Sequence, residues 1–476
     1  MSTPSGTRSI LARVRSLRAC TGLLVVLAAL LGCRRSDGDA PIVVLVLVDT
    51  LRLDSLSCYG GEFPTPAMDA LAARGARFEQ AISSSGWTLP AAASILTGVS
   101  PGVHQARGKR TRLTPISPDV ETVAERLNAA GVRTLAFTNA AFVNPLLGLT
   151  RGFEHESHRH AYNQDIRRAG ETFGAALGEL AKDDGRPTFC LVHLFDAHLD
   201  YDPPGEFATR YTEGLSDARR PLGFQDCSRV PPGEPEPGVS AEHARRVRAA
   251  YEAEVAYVDH ELGRFLAALE ERGDLARTTV ILTADHGEEF WEHGAFEHGH
   301  SLYDELVRVP LLIAPPPRPA ATASVVPVPV RTLDLAPTLC ELFGVPPGER
   351  HEGASLLAVA AGHDTEPRSA LSEGTLYGSD KFALRTARHK VILDRHPQAV
   401  RPIEVYDWTV DPLERDNLAV REPELARALA SELEARLAAM ELLARELRPG
   451  EVQDLSPARR EEYLQQLESL GYGGGD

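Results

Sequence analysis

Residues 42 to 48 read IVVLVLV, an unbroken apolar and mostly β-branched run. A strand with one wet face alternates apolar and polar residues. A run without alternation marks a strand buried on both faces, as in a parallel sheet. Similar runs return as TLAF at 134–137, TFCLVHLF at 188–195 and TTVILTA at 278–284. Helical patterns lie between them, at 66–79, 119–130 and roughly 241–271. Strands alternating with helices predict an α/β fold, a large and mostly parallel sheet flanked by helices. No internal repeat is visible.

Open parallel sheets bind ligands just beyond the carboxyl ends of their strands. The first run ends in Asp49 and Thr50, and the second in Thr138 and Asn139. The third is followed by Asp196 and His198, the fourth by Asp285 and His286. One such ending is an ordinary turn. Four endings that bring carboxylates and histidines to one edge point to a site. Two aspartates balance a divalent cation, and the His286 imidazole adds a nitrogen. Mixed oxygen and nitrogen ligation favours manganese or zinc, with calcium, which prefers oxygen alone, as the alternative.

The stretch WTLPAAASILTG, residues 87–98, reads as a helix start. Two compatible roles are open to Thr88, capping the helix or attacking a substrate. A cation lowers the pKa of a neighbouring hydroxyl, and a helix start favours negative charge through its unpaired N–H groups. Thr88 is therefore expected at the metal, as ligand and nucleophile.

A formal charge of −17 and no basic stripe argue against a nucleic-acid partner. The length of 476 residues suits one large domain and a smaller one. The N-terminus differs from the rest. Arg8, Arg13, Arg15 and Arg18 precede TGLLVVLAALLGC, whose apolar core is too short to span a bilayer. This is the pattern of a secretory signal, and LLGC resembles the bacterial lipoprotein box. Cys33 would then carry lipid and anchor the chain to a membrane of the bacterial cell envelope, facing the periplasm or the outside. An uncleaved anchor is the alternative. Cys58, Cys190, Cys227 and Cys340 show no CxxC spacing, so no structural zinc is expected, while one or two disulfides stay open. Residues 202–240 read as an excursion over the sheet, and 314–324 as a loop. Near the C-terminus Leu425, Leu429, Leu433 and Leu437 form one apolar helix stripe.

Together these residues resemble the sulfatases, within the alkaline phosphatase superfamily. VLVLVDTLRLDSLSCYG resembles the first strand and metal-binding aspartate of that family. Thr88, Pro90, Leu96, Thr97 and Gly98 fall in the register of its nucleophile motif, Cys/Ser-x-Pro-x-Arg followed by Leu-Thr-Gly. TADHGEEFWEHG resembles its second metal pair, and HGHSLYDELVRVPLLI the segment after it. VRTLDLAPTLCELFGVP and EVYDWTVDPLERDNLA resemble its C-terminal signatures, so the likeness runs from about residue 42 to 418. It implies a catalytic domain over 42–345 and a smaller C-terminal α+β region over 346–448, after a leader (1–33) and linker (34–41) and before a tail (449–476). It also implies one divalent metal on Asp49, Asp285 and His286, with Thr88 facing it. His198 and His298 would bind the substrate oxyanion or protonate the leaving oxygen, and Asn139 would contact the anion. The implied substrate is an anionic ester, sulfate first.

Departures from the pattern matter as much. Sulfatases oxidise a cysteine or serine at position 88 to formylglycine. Threonine oxidised at its β-carbon gives a ketone, so formylglycine is not expected. Ala92 replaces the motif's arginine, Thr50 its second aspartate, and His286 stands where many sulfatases have asparagine. A threonine nucleophile with an Asp-His pair is similar to phosphoethanolamine and lipoteichoic acid transferases. The Asp-His pair is shared with phosphonate and phosphodiester hydrolases. Three functions follow: a sulfate ester hydrolase, a hydrolase or transferase acting at phosphorus, and a non-catalytic binding lipoprotein.

Overall fold

The computed structural model describes residues 40–109, 112–139, 141–159, 167–211, 222, 241–318 and 323–451. The leader with Cys33, most of the tail, and most of the 202–240 excursion with Cys227 lie outside the described residues. The strands of the main sheet are β1 (Ile42–Val48), β2 (Ala76–Ile82), β3 (Arg133–Asn139), β4 (His155–Arg159), β5 (Thr188–Leu194), β6 (Thr278–Ala284), β7 (Arg308–Ala314), β8 (Ser324–Val326) and β9 (Val330–Arg331). Their order is β8-β2-β7-β6-β1-β5-β3-β4, with β9 also paired to β2. Every pairing is parallel except the two made by β7. All residues of β1, β5 and β6 are buried, as unbroken apolar runs require.

Helices α1 (Pro66–Arg74), α2 (Thr88–Thr97), α3 (Val123–Ala129), α4 (Ala169–Leu180), α5 (Ala241–Glu271) and α6 (Leu335–Leu342) flank the sheet. α5 packs along α1 and α4, while α2 packs along α3 and α6. Two helix expectations are corrected. The segment 66–79 is helical only to Arg74, and β2 follows. Gly75 marks the break: a Cβ there would lie 2.3 Å from the Ile313 carbonyl oxygen of β7. The helix expected from 119 begins at Val123. A capping box fixes that start, with Thr122 Oγ1 accepting from Glu125 N at 3.1 Å and the Glu125 carboxylate from Thr122 N at 2.8 Å.

Beyond β9 the chain forms a second, antiparallel sheet of β10 (Ala370–Glu373), β11 (Lys381–Arg385), β12 (His389–Asp394) and β13 (Ile403–Asp407), in that order. Helix α7 (Pro423–Arg445) packs on it and buries Leu429, Leu433, Leu437 and Met440, with Leu425 partly covered. Beneath this sheet Lys390 is buried between Asp304 and Glu414. Cys58, Cys190 and Cys340 are free thiols. Among the described residues no helix is long and apolar enough to cross a membrane.

Candidate active site

Three neighbouring strands, β6, β1 and β5, end at one edge of the sheet and supply its polar residues. Asp49 follows β1 and its N–H donates to Leu194 O of β5 at 2.9 Å. Asp285 and His286 follow β6. Helix α2 delivers Thr88 as its first residue, and all ten residues of that helix are buried. Trp87 occupies the N-cap position with no side-chain cap. Thr88 therefore does not cap the helix. Its Oγ1 lies 3.1 Å from His286 Nε2 instead.

The tautomer of His286 follows from its second contact. Nδ1 is 2.9 Å from Gly287 O, which can only accept, so Nδ1 carries the proton and Nε2 accepts from the Thr88 hydroxyl. The same Nε2 lies 3.5 Å from Asp49 Oδ1 and 3.6 Å from Asp285 Oδ2. The structure thus brings together Asp49, Thr88, Asp285 and His286, as expected from the strand ends.

It also brings in His193, which the sequence reading treated as part of a strand. Its Nδ1 donates to Asn139 O at 3.0 Å, and its Nε2 stands 3.6 Å from Asp49 Oδ2. Ligand atoms of Asp49, His193 and Asp285 lie within 4.8 Å of one another. Asp49 Oδ1 and Oδ2, Asp285 Oδ2 and His193 Nε2 are buried without a hydrogen-bond partner. Buried polar atoms are normally satisfied, and these carry lone pairs facing lone pairs. A divalent cation is their chemical complement, so the residues fit one. Burial and the neighbouring Asp49 charge push the Asp285 carboxyl well above its usual range.

His198 and His298 stand beside this cluster, their rings 5.0 Å apart and that of His298 4.4 Å from His286. Glu288 orients His298, whose Nδ1 lies 2.9 Å from Oε1. The other carboxylate oxygen accepts from Tyr201 OH at 3.1 Å. Burial pushes the Glu288 carboxyl up to about 7. Burial lowers both imidazoles.

Other candidates have different neighbours. The Asn139 side chain donates to His193 O at 2.8 Å and to Thr172 Oγ1 at 3.1 Å, and accepts from Arg167 Nε at 3.3 Å. Asp196 faces Arg168 at 3.9 Å. His293 pairs with Glu305, and His300 with Glu289. Thr50 donates to Ala197 O at 2.7 Å, and Ala92 is fully buried within α2. A histidine inside an apolar strand that neighbours an aspartate-ending strand was the available sign of His193. Glu288, three residues past Asp285, gave no sign before its partner His298 was placed.

A family model described as Sulfatase matches residues 41–345, and one described as N-sulphoglucosamine sulphohydrolase, C-terminal, matches residues 291–442. A choline-sulfatase of Rhizobium meliloti (strain 1021) is 26% identical over 438 residues, covering 80% of this chain and 82% of that one. A solved structure in complex with its substrate D-glucosamine-2-N,6-O-disulfate aligns with a TM-score of 0.70 at 20% identity, over 86% of this chain and 98% of that one. The phosphonate monoester hydrolase of Agrobacterium radiobacter aligns with a TM-score of 0.67 at 20% identity, over 84% and 96%. At these identities the structural likenesses establish the fold.

Proposed function

This chain belongs to the sulfatase family, and we propose that it hydrolyses a sulfate ester by a metal-dependent route with Thr88 as the attacking group. The observation that carries this is the Thr88 hydroxyl, 3.1 Å from an imidazole nitrogen that itself faces both buried carboxylates. Asp49, Asp285 and His286 would hold the cation beside Thr88. A divalent cation bound there neutralises the carboxylates and lowers the pKa of a neighbouring alcohol. The His286 Nε2 lone pair that accepts the Thr88 hydrogen bond is the one that would hold a cation.

The chemistry then needs two displacements. Thr88 oxygen, its proton released to water, bonds to sulfur as the bond from sulfur to the departing alcohol breaks. That alcohol leaves with a proton from His198 or His298. Both imidazoles are held neutral by burial, and an arriving anionic ester favours their charged form. Water next attacks sulfur, the bond to Thr88 breaks, sulfate departs and Thr88 regains a proton. Glu288 orients the His298 ring through its Nδ1.

A second reading, transfer or hydrolysis at phosphorus, is favoured by Thr88 itself. A sulfated threonine has no hemiacetal route of elimination and must be displaced at sulfur. Phosphodiester and phosphonate esters are less affected, and a phosphonate monoester hydrolase shares the fold. Assay of the metal-loaded protein on aryl sulfates, phosphodiesters and phosphonates decides between them. Thr88→Ala is expected to abolish turnover of whichever ester reacts. Wild-type rates in that variant would end the proposal, and no turnover with any ester would favour a binding protein. We also propose that Cys33 bears lipid and holds the chain at a cell-envelope membrane. Cys33→Ser should then release the protein from the membrane fraction.

A further inference from the structure

We infer that His193 is a direct ligand of the cation, in the place that Thr50 vacates, and that it makes the site selective for zinc or manganese over calcium. This assignment rests on the metal-dependent reading above. β1 runs into Asp49 and Thr50, but the Thr50 hydroxyl is committed to Ala197 O at 2.7 Å, and its backbone turns through a left-handed φ of 55°. No second carboxylate is available from that turn. The neighbouring strand supplies the replacement: His193 is in register with Leu47, two residues before Asp49. Side chains two apart along a strand share a face, so the ring reaches the edge where Asp49 sits.

The ring is clamped from behind. Its Nδ1–H donates to Asn139 O at 3.0 Å, while the Asn139 amide donates back to His193 O at 2.8 Å. A carbonyl only accepts, so the proton is on Nδ1 and Nε2 presents a lone pair. That lone pair is fully buried without a hydrogen-bond partner, 3.6 Å from an Asp49 oxygen that also only accepts. A histidine serving packing alone has its second nitrogen satisfied. Metal-binding imidazoles, by contrast, carry this kind of buttress on the far nitrogen. With His193 added, the donors are two carboxylates and two imidazoles. Calcium takes oxygen alone, whereas zinc and manganese accept the mixed set.

The test is calorimetric titration of the full chain, stripped by chelator, with zinc, manganese and calcium. It is repeated on His193→Ala and on His193→Gln, which retains an amide donor for the Asn139 carbonyl. Near-ultraviolet circular dichroism checks the fold, and the glutamine variant carries the test if the alanine variant unfolds. Zinc and manganese should bind about a hundredfold more weakly in either variant, and calcium within about threefold of wild type. Loss of less than about tenfold for zinc and manganese overturns the assignment, since a lost ligand costs more. Parallel loss of calcium, the mark of a purely structural role, overturns it too, as does a wild-type chain that binds none of the three. Turnover is not read. A protein that binds zinc through His193 yet cleaves no ester ends the proposed function and leaves this assignment standing.

Discussion

Two clusters of buried charge, one at the strand ends and one beneath the C-terminal sheet, differ in their balance of sign. Under the C-terminal sheet, Asp304 and Glu414 meet two fixed cations. Lys390 Nζ lies 2.9 Å from each carboxylate, and Arg385 Nη1 2.5 Å from Asp304. Burial works against the Asp304 anion, but Arg385 and Lys390 hold its carboxyl well below the usual range. At the strand ends Asp49 and Asp285 face His193 and His286, and among the described residues no lysine or arginine is paired with them. The first cluster is closed on itself and fastens the second sheet. The second, at the strand ends, has donors that fit a mobile cation. Burial alone does not tell a structural ion pair from a functional one, but the sign balance does.

The largest expected effect is a split between the two clusters. Thr88→Ala should lower kcat about a thousandfold or more while leaving the unfolding midpoint close to wild type. Lys390→Met, which leaves the buried Glu414 without its cation, should cost about 3–5 kcal/mol of stability. Steady-state rates and urea unfolding on both variants read the split, and a Thr88→Ala protein as unstable as Lys390→Met would erase it. Next, zinc or manganese at a hundred times its dissociation constant should raise stability by about 2.7 kcal/mol over the chelated protein. Lys390→Met should show the same increment, because the clusters share no partner.

Asp285→Asn sharpens the contrast by a smaller amount. In chelator it should raise stability by roughly 1 kcal/mol, since one of two uncompensated buried carboxylates is gone, and zinc should then stabilise little. Destabilisation without metal would mean that the carboxylates are compensated after all. The smallest effect is a pH slope. Glu288 is pushed from 4.5 up to about 7, so the folded chain keeps a proton that the unfolded chain has lost. Its stabilising contribution is present in acid and is lost as pH rises through that interval. Urea unfolding in chelator at several pH values should show a flatter slope for Glu288→Gln, and an unchanged slope would assign the proton elsewhere.

Much of this was legible in the sequence because strand ends carry chemistry. IVVLVLV and TTVILTA are strands over the residues read, and Asp49, Asp285, His286 and Thr88 converge. What stayed hidden depended on pairing. ARFE, the start of β2, was absorbed into a helix because its partner β7 lies more than two hundred residues away. His193 looked like one more strand residue until its register beside Leu47 placed it next to Asp49. Periodicity reports what a residue's neighbours along the chain require, not which distant strand will lie alongside.

Helix α2 is enclosed from Thr88 to Thr97, with no residue at the surface. Enclosure limits the substitutions that position 88 tolerates to side chains of about threonine's bulk, such as serine, cysteine and valine. Cysteine or serine would return the residue that formylglycine-forming relatives oxidise, within the same packing. Arginine at 92 is a different matter, since Ala92 has no exposed surface to grow into. Attempts to redirect this scaffold towards other esters should therefore begin with small side chains at position 88, with the walls left as they are.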